Sequence, residues 1–183
     1  MPRIPVHTVD DAPAAAQEGL QGLKEQFGKV LNIHGEMAHS PALLSSYLGI
    51  QSALAEHGSF DARTREAIAL VVGATNDCAY CQAAHTGGAR AAGWDEDQTK
   101  QLRAGSPVDT DGGLDALLAV ARQMVSSTGY VEEDVWQAAL DAGWSTEELG
   151  ELVPHVMVNM FTNYFNHYAH TELDLPAAPE LHG

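Results

Sequence analysis

The tripeptide Ala-Gly-Trp occurs twice, at 92–94 and 142–144, and the fifty-residue shift that superposes the copies carries their surroundings with it. Tyr80 falls on Tyr130, Ala89 on Ala139 and Leu102 on Leu152. Gly93 and Gly143 each stand where a helix C-terminus wants a residue free to take positive φ. Each is followed by the elements of a capping box, Asp95 with Gln98 and Ser145 with Glu148. A duplicated helix pair is the simplest chain with this pattern, and it points to helices packed on helices. Trp94 and Trp144 then anchor the repeated turn.

Periodicity supports helices throughout and no strand. Amphipathic helices are expected over Ala14–Val30 and Pro41–His57, the second with Ser40 as N-cap and Pro41 at its first position. Asp61 caps a third, whose later part is apolar on all sides and therefore buried. Asn76 or Asp77 caps a fourth that ends at Gly93. Shorter helices are expected over Asp95–Arg103, Gly113–Ser127 and Val131–Ala142, then a long one over Ser145–Thr171 bent near Pro154. The stretch 104–113 reads as a loop and 174–183 as a loose tail. The expected organisation is an N-terminal arm (1–13), one helical domain (14–175) and a C-terminal tail (176–183).

At 183 residues the chain can bury one substantial core and does not demand two domains. Its 25 acidic against 9 basic residues give a formal charge of −16, which repels phosphate backbones and anionic lipid. Nucleic acid and membrane surfaces are therefore poor partners. The first twenty residues lack the apolar run of a signal peptide, and nothing later is apolar enough to span a bilayer. A cytoplasmic protein is expected, and there a structural disulfide is disfavoured.

Both cysteines fall in the segment NDCAYCQAAH, Cys78 and Cys81 three apart and His85 four further on. On a helix Cys81 and His85 share a face, with Cys78 one turn earlier on nearly the same face. A helix N-terminus favours anions through its unpaired N–H groups and aligned dipoles. A thiolate at Cys78 should therefore form more readily than in free cysteine, with His85 to take or hold the proton. Glu66 lies twelve residues before Cys78, past the capping-box position of its helix, so capping does not explain it. Turned inward it would orient the imidazole and raise its basicity. In the second copy Cys78, Cys81, His85 and Glu66 become Thr128, Val131, Val135 and Ala116. A scaffold shared by both copies does not require these four side chains. Inert packing of the cysteines and a zinc site of Cys78, Cys81, His85 and Glu66 are the rival readings.

The segment EAIALVVGATNDCAYCQAAH resembles the carboxymuconolactone decarboxylase superfamily, in its alkylhydroperoxidase D-like branch, whose motif is a Glu, then CxxC, then a His four residues on. The later NMFTNYFNHYAHTELDLP is similar to the closing segment of peroxidase-related members. The resemblance implies an all-α alkylhydroperoxidase D-like domain, assembled as a homo-oligomer, a trimer or hexamer. It implies a thiol peroxidase in which Cys81 attacks a hydroperoxide, Cys78 resolves the sulfenic acid to a disulfide, and Glu66 and His85 relay protons. The implied partners are a hydroperoxide substrate and a protein or small dithiol reductant, lipoyl-bearing or thioredoxin-like. No metal or flavin cofactor is expected. The helix argument alone favours Cys78 as the stronger nucleophile. Tyr80 stands where the well-studied branch has a histidine, so a relay through that histidine is absent or altered. A lactone decarboxylase-type acid–base enzyme would need Glu66 and His85 but not the CxxC.

The last helix carries His155, Asn159, Asn163, Asn166 and His170 along one polar stripe. That stripe reads as a polar face or subunit contact rather than a metal site.

Overall fold

A computed structural model describes residues 2–108 and 112–181. Met1 of the expected arm, 109–111 of the expected loop, and His182 and Gly183 of the tail lie outside the described residues. Among those described there are nine helices and no strand: α1 (Ala14–Phe27), α2 (Asn32–Met37), α3 (Pro41–His57), α4 (Ala62–Thr75), α5 (Ala79–Ala91), α6 (Glu96–Ala104), α7 (Gly113–Ser126), α8 (Glu133–Asp141) and α9 (Thr146–Ala169).

The all-α architecture centres on α4, which packs against α5, α6, α7 and α9. Every residue from Ala67 to Gly73 is buried, the reason this stretch is apolar all round. On one side Leu70, Leu102, Leu117 and Leu152 fill a core between α4 and the later helices. On the other, α1, α2 and α3 close a second core that contains both cysteines and the C-terminal end of α9.

The repeated turns share their local geometry. Both capping boxes form, at Asp95 with Gln98 and at Ser145 with Glu148. Gly93 and Gly143 take φ of +93° and +102°. The two indole N–H groups, fifty residues apart, donate to carbonyls fifty residues apart: Trp94 to Arg63 at 2.9 Å and Trp144 to Gly113 at 2.7 Å.

Helix ends differ from expectation where a local turn intervenes. Gly28, left-handed at φ +76°, stops α1 at Phe27 rather than Val30. His170, also left-handed, stops α9 at Ala169 rather than Thr171. α8 starts at Glu133 rather than Val131. The helix α2 was not expected, because six residues show no periodicity. Its Gly35 is needed for close approach: a Cβ there would meet Val6 Cγ1 at 2.6 Å and His7 O at 2.7 Å. The arm crosses at that point, with His7 N donating to Gly35 O at 3.1 Å.

The described part of the expected loose tail, 174–181, is tied down. Asp174 accepts hydrogen bonds from Lys29 Nζ, Tyr80 Oη and Asn32 N, and Arg103 donates to Pro179 O. These partners are up to 145 residues away, beyond any local composition signal.

Candidate active site

The cap of α5 is Cys78 itself, not Asn76 or Asp77. Asn76 ends α4, and Asp77 takes a left-handed φ of +53° that reverses the chain. Cys78 N then donates back to Gly73 O at 2.8 Å. Cys78 Sγ thus occupies the position of a capping oxygen and accepts the Cys81 N–H at 3.4 Å.

The two sulfurs are free thiols 2.7 Å apart, both buried. Asn166 of α9 donates its Nδ2 to Cys81 Sγ at 3.2 Å and to Cys78 Sγ at 3.7 Å. The hydrogen bond shared with the Cys81 thiol, and then those from the Cys81 N–H and the Asn166 amide, hold the Cys78 thiol below the ordinary value, against the upward push of burial. Cys81 is raised, because its proton is held by Cys78 and because it is buried; the amides of Asn166 and Asn163 oppose the shift. The surroundings thus favour a thiolate at Cys78 over one at Cys81, the order expected from its place at the helix N-terminus.

Glu66 and His85 meet. Glu66 Oε2 lies 2.9 Å from His85 Nδ1, and each side chain is about one-quarter to one-third exposed, 26% and 31%. This bond spans α4 and α5 and turns the other ring nitrogen away from the carboxylate. Arg63, the alternative partner of Glu66, instead donates to Gly93 O and lies over the Trp94 ring at 3.6 Å. Gly88 makes room for the acid: a Cβ there would stand 2.6 Å from Glu66 Cδ and from both carboxylate oxygens. In the second copy position 88 becomes Ala138 where Glu66 becomes Ala116.

Cys81, Glu66 and His85 line one cleft of about 910 Å³, which Tyr47, Tyr80 and His155 also border. Cys78 does not line it, so the two sulfurs differ: Cys78 is the one whose surroundings favour the thiolate, and Cys81 is the one that meets the cleft. The hydrogen bonds of the sulfurs run to each other and to Asn166, and that of the His85 ring to Glu66. The imidazole and Cys81 therefore face common space rather than forming a direct pair.

The polar stripe of α9 corrects the expectation of a polar face. His155, Asn159, Asn163 and Asn166 are buried, and only His170 lies outside this group. His155 Nε2 sits 3.2 Å from Glu151 Oε1, a second imidazole–carboxylate pair on the cleft. Burial pushes His155 down, partly offset by Glu151. Glu151 is held low, against burial, by hydrogen bonds from Ser59 and Phe60. Asn166 and Gly88 are the site residues that sequence reasoning missed; the asparagine spacing was visible, but not that the stripe faces inward. Among the described residues no three His, Cys, Asp or Glu side chains converge as a metal site requires.

Comparison with known proteins follows the same lines. Residues 41–125, which hold Glu66, both cysteines and His85, match the model of the carboxymuconolactone decarboxylase family. The match covers just under half of the chain and marks a likeness to this family. An uncharacterized protein of Haemophilus influenzae is 40% identical over 63 residues, 34% of this chain. The match spans 56% of that relative, little more than half its length. Across 94% of this chain and 92% of the other, the fold superposes with a TM-score of 0.83 on an alkylhydroperoxidase AhpD core, an uncharacterized peroxidase-related protein from Ralstonia eutropha, at 19% identity. The debrominase Bmp8 superposes with a TM-score of 0.79 over 94% of this chain and 92% of its own, at 17% identity. At these identities the likeness is one of fold, and the fold is alkylhydroperoxidase D-like.

Tyr80 is buried beside the cysteines, and its hydroxyl donates to Asp174 Oδ1 at 2.7 Å. Burial first, and then the Asp174 charge, hold the phenol well above its ordinary range. Tyr80 stays protonated and ties the closing segment to α5.

Proposed function

We propose that the chain is a thiol-dependent peroxidase that reduces organic hydroperoxides through the Cys78–Cys81 dithiol. The observation that carries the reading is the sulfur pair, 2.7 Å apart, with Cys81 open to the cleft that Glu66 and His85 share. The proton of the Cys81 thiol passes along the contact to the Cys78 thiolate, and the Cys81 thiolate attacks the terminal peroxide oxygen. The O–O bond breaks, the alkoxide takes a proton supplied by His85 with Glu66 orienting the ring, and an alcohol leaves. Cys81 is then a sulfenic acid. Cys78 attacks that sulfur, a disulfide of roughly 2.05 Å forms, and water leaves. Two thiols and one hydroperoxide give one disulfide, one alcohol and one water. An external dithiol, small or borne on a lipoyl-bearing or thioredoxin-like protein, reduces the disulfide.

Free thiols suit a reducing, cytoplasmic setting. No helix among the described residues is long and apolar enough to cross a membrane. The apolar side chains that α9 leaves exposed, Met157 at 50%, Tyr164 at 57% and Tyr168 at 68%, suit a subunit contact of a trimer or hexamer.

Reduced protein given one equivalent of cumene hydroperoxide should release one equivalent of alcohol and lose two hydrogens at Cys78 and Cys81, much faster than free cysteine reacts. Oxidation no faster than that of free cysteine refutes the reading. Turnover of a lactone that survives serine at both cysteine positions would instead assign an acid–base enzyme built on Glu66 and His85.

The debrominase neighbour supports a second reading on the same dithiol. A cysteine variant of that protein has been solved with 2,3,4-tribromopyrrole, and the present cleft has the aromatic walls of Phe27, Tyr47 and Tyr80. Here two thiols would become a disulfide as an aryl bromide is exchanged for hydrogen and hydrogen bromide is released. Bromide release from a bromopyrrole, without reaction of cumene hydroperoxide, selects this activity.

A further inference from the structure

Two buried polar atoms beside the sulfurs have no hydrogen-bond partner in the protein: Nδ2 of Asn163 and Oδ1 of Asn166. Asn163 is fully buried and Asn166 is 5% exposed. Buried amides in folded proteins are almost always satisfied, so an orphan donor and an orphan acceptor on successive inward positions of one helix call for a specific explanation. Each residue is already fixed through its other end. Asn163 Oδ1 accepts from Asn76 Nδ2 at 2.8 Å, and Asn166 Nδ2 reaches both sulfurs. Neither amide can rotate to satisfy its free atom without giving up the bond it has. The Asn163 amide opposes the upward push of burial on the Cys81 thiol, and its Nδ2 is left without a formed partner.

We propose that Asn163 and Asn166 form a receptor for the oxygen atom that oxidation places on Cys81. The inference rests on the peroxidase reading. A thiolate that attacks a hydroperoxide gains one oxygen as the O–O bond breaks, and the new S–O–H group offers one acceptor oxygen and one donor hydrogen. The free Asn163 N–H meets the first need and the free Asn166 carbonyl the second. When the sulfenic acid ionises, the Asn163 donor holds the oxyanion by a charge-assisted bond. The receptor also orients the S–O bond for displacement. Cys78, held 2.7 Å away by the sulfur contact and capped by the Cys81 N–H, then displaces the oxygen as water.

The test uses the full-length Cys78→Ser protein, in which serine keeps the cap of α5 and the sulfenic acid on Cys81 has no resolving thiol. One equivalent of cumene hydroperoxide is added, the oxidised residue is located by mass spectrometry, and the decay of the sulfenic acid is followed by dimedone trapping. Asn163→Asp in this background keeps the acceptor for Asn76 and the side-chain shape but removes the donor. It should shorten the sulfenic acid lifetime, and raise over-oxidation to sulfinic acid by excess peroxide, by roughly tenfold or more, the effect of one hydrogen bond to a charged group. Asn163→Ala supplies the same deletion without added charge, should Asp disturb folding. Rapid oxidation of Cys81 with a lifetime unchanged in both variants overturns the receptor and leaves the peroxidase reading standing. Oxidation of the parent no faster than that of free cysteine overturns both.

Discussion

Replacing Gly88 with alanine should separate stability from activity. Gly88 lies inside α5 without positive φ, so alanine gains helix propensity, about 1 kcal/mol. The new Cβ would stand 2.6 Å from three atoms of the Glu66 carboxyl group, which real contacts do not tolerate. The obstacle is the end of a flexible, partly exposed side chain, 26% accessible, so it swings aside rather than forcing α4 from α5. The 2.9 Å bond to His85 is lost. A hydrogen bond to a charged group is worth roughly 1.5–3 kcal/mol when buried, and about 1 kcal/mol after discounting for this exposure. The two contributions nearly cancel, so the melting temperature should move by no more than about 2–4 °C. Turnover should nevertheless fall about a hundredfold, the low end of what positioned acid–base groups supply. The assays are thermal unfolding by circular dichroism and alcohol release from cumene hydroperoxide with dithiothreitol. Gly22→Ala, in an open stretch of α1, is the control, with a stability gain of about 1 kcal/mol and unchanged turnover. Full activity in Gly88→Ala would refute the role of the Glu66–His85 bond. A large fall in melting temperature would refute the claim that the carboxylate yields easily.

The thiolate of Cys78 should appear, by ultraviolet absorbance of the reduced protein, with a midpoint below the roughly 8.5 of free cysteine, and Cys78→Ser should remove it. Because this thiol is depressed in the folded state, the unfolded chain binds the extra proton between the two values. The stability Cys78 confers is therefore complete above the unfolded value and lost as pH falls through the folded one, measurable as the difference in melting temperature between wild type and Cys78→Ser. Asp174→Ala removes the acceptor of Tyr80, Lys29 and Asn32 and should cost about 2 kcal/mol by urea unfolding, with protease cleavage appearing after residue 170; resistance equal to wild type would show that the closing segment is held elsewhere.

Much of the helical framework was legible because its signals are local. A capping box satisfies N–H groups three residues from its own side chain, so Asp95 with Gln98 and Ser145 with Glu148 could be read directly, as could Ser40 before Pro41 and Asp61 before α4. The start of α5 was misplaced because Asn and Asp are better caps than Cys by propensity, while the left-handed turn at Asp77 passes the role to the sulfur. The repeated Ala-Gly-Trp foretold two equivalent turns, and the indole bonds to Arg63 and Gly113 carry out that equivalence.

For the site, the spacing of Cys78, Cys81 and His85 on one helix was enough to place three groups on a common face, since 3.6 residues per turn leaves no other arrangement. What spacing along one helix could not determine is everything that crosses between helices. The partnership of Glu66 with His85 depends on α4 lying against α5, and on a glycine at 88 that leaves the space open. The hold of Asn166 on both sulfurs depends on α9 returning more than eighty residues later with its asparagines turned inward. Which thiol carries charge and which meets the cleft is likewise a matter of packing, because desolvation and donor geometry are set by neighbours in space. The sequence by itself determined the helices, the repeated turns and the spacing of the cysteine pair; only the tertiary structure decided how the surroundings of the two sulfurs differ, because that difference is made by contacts between residues far apart in the chain.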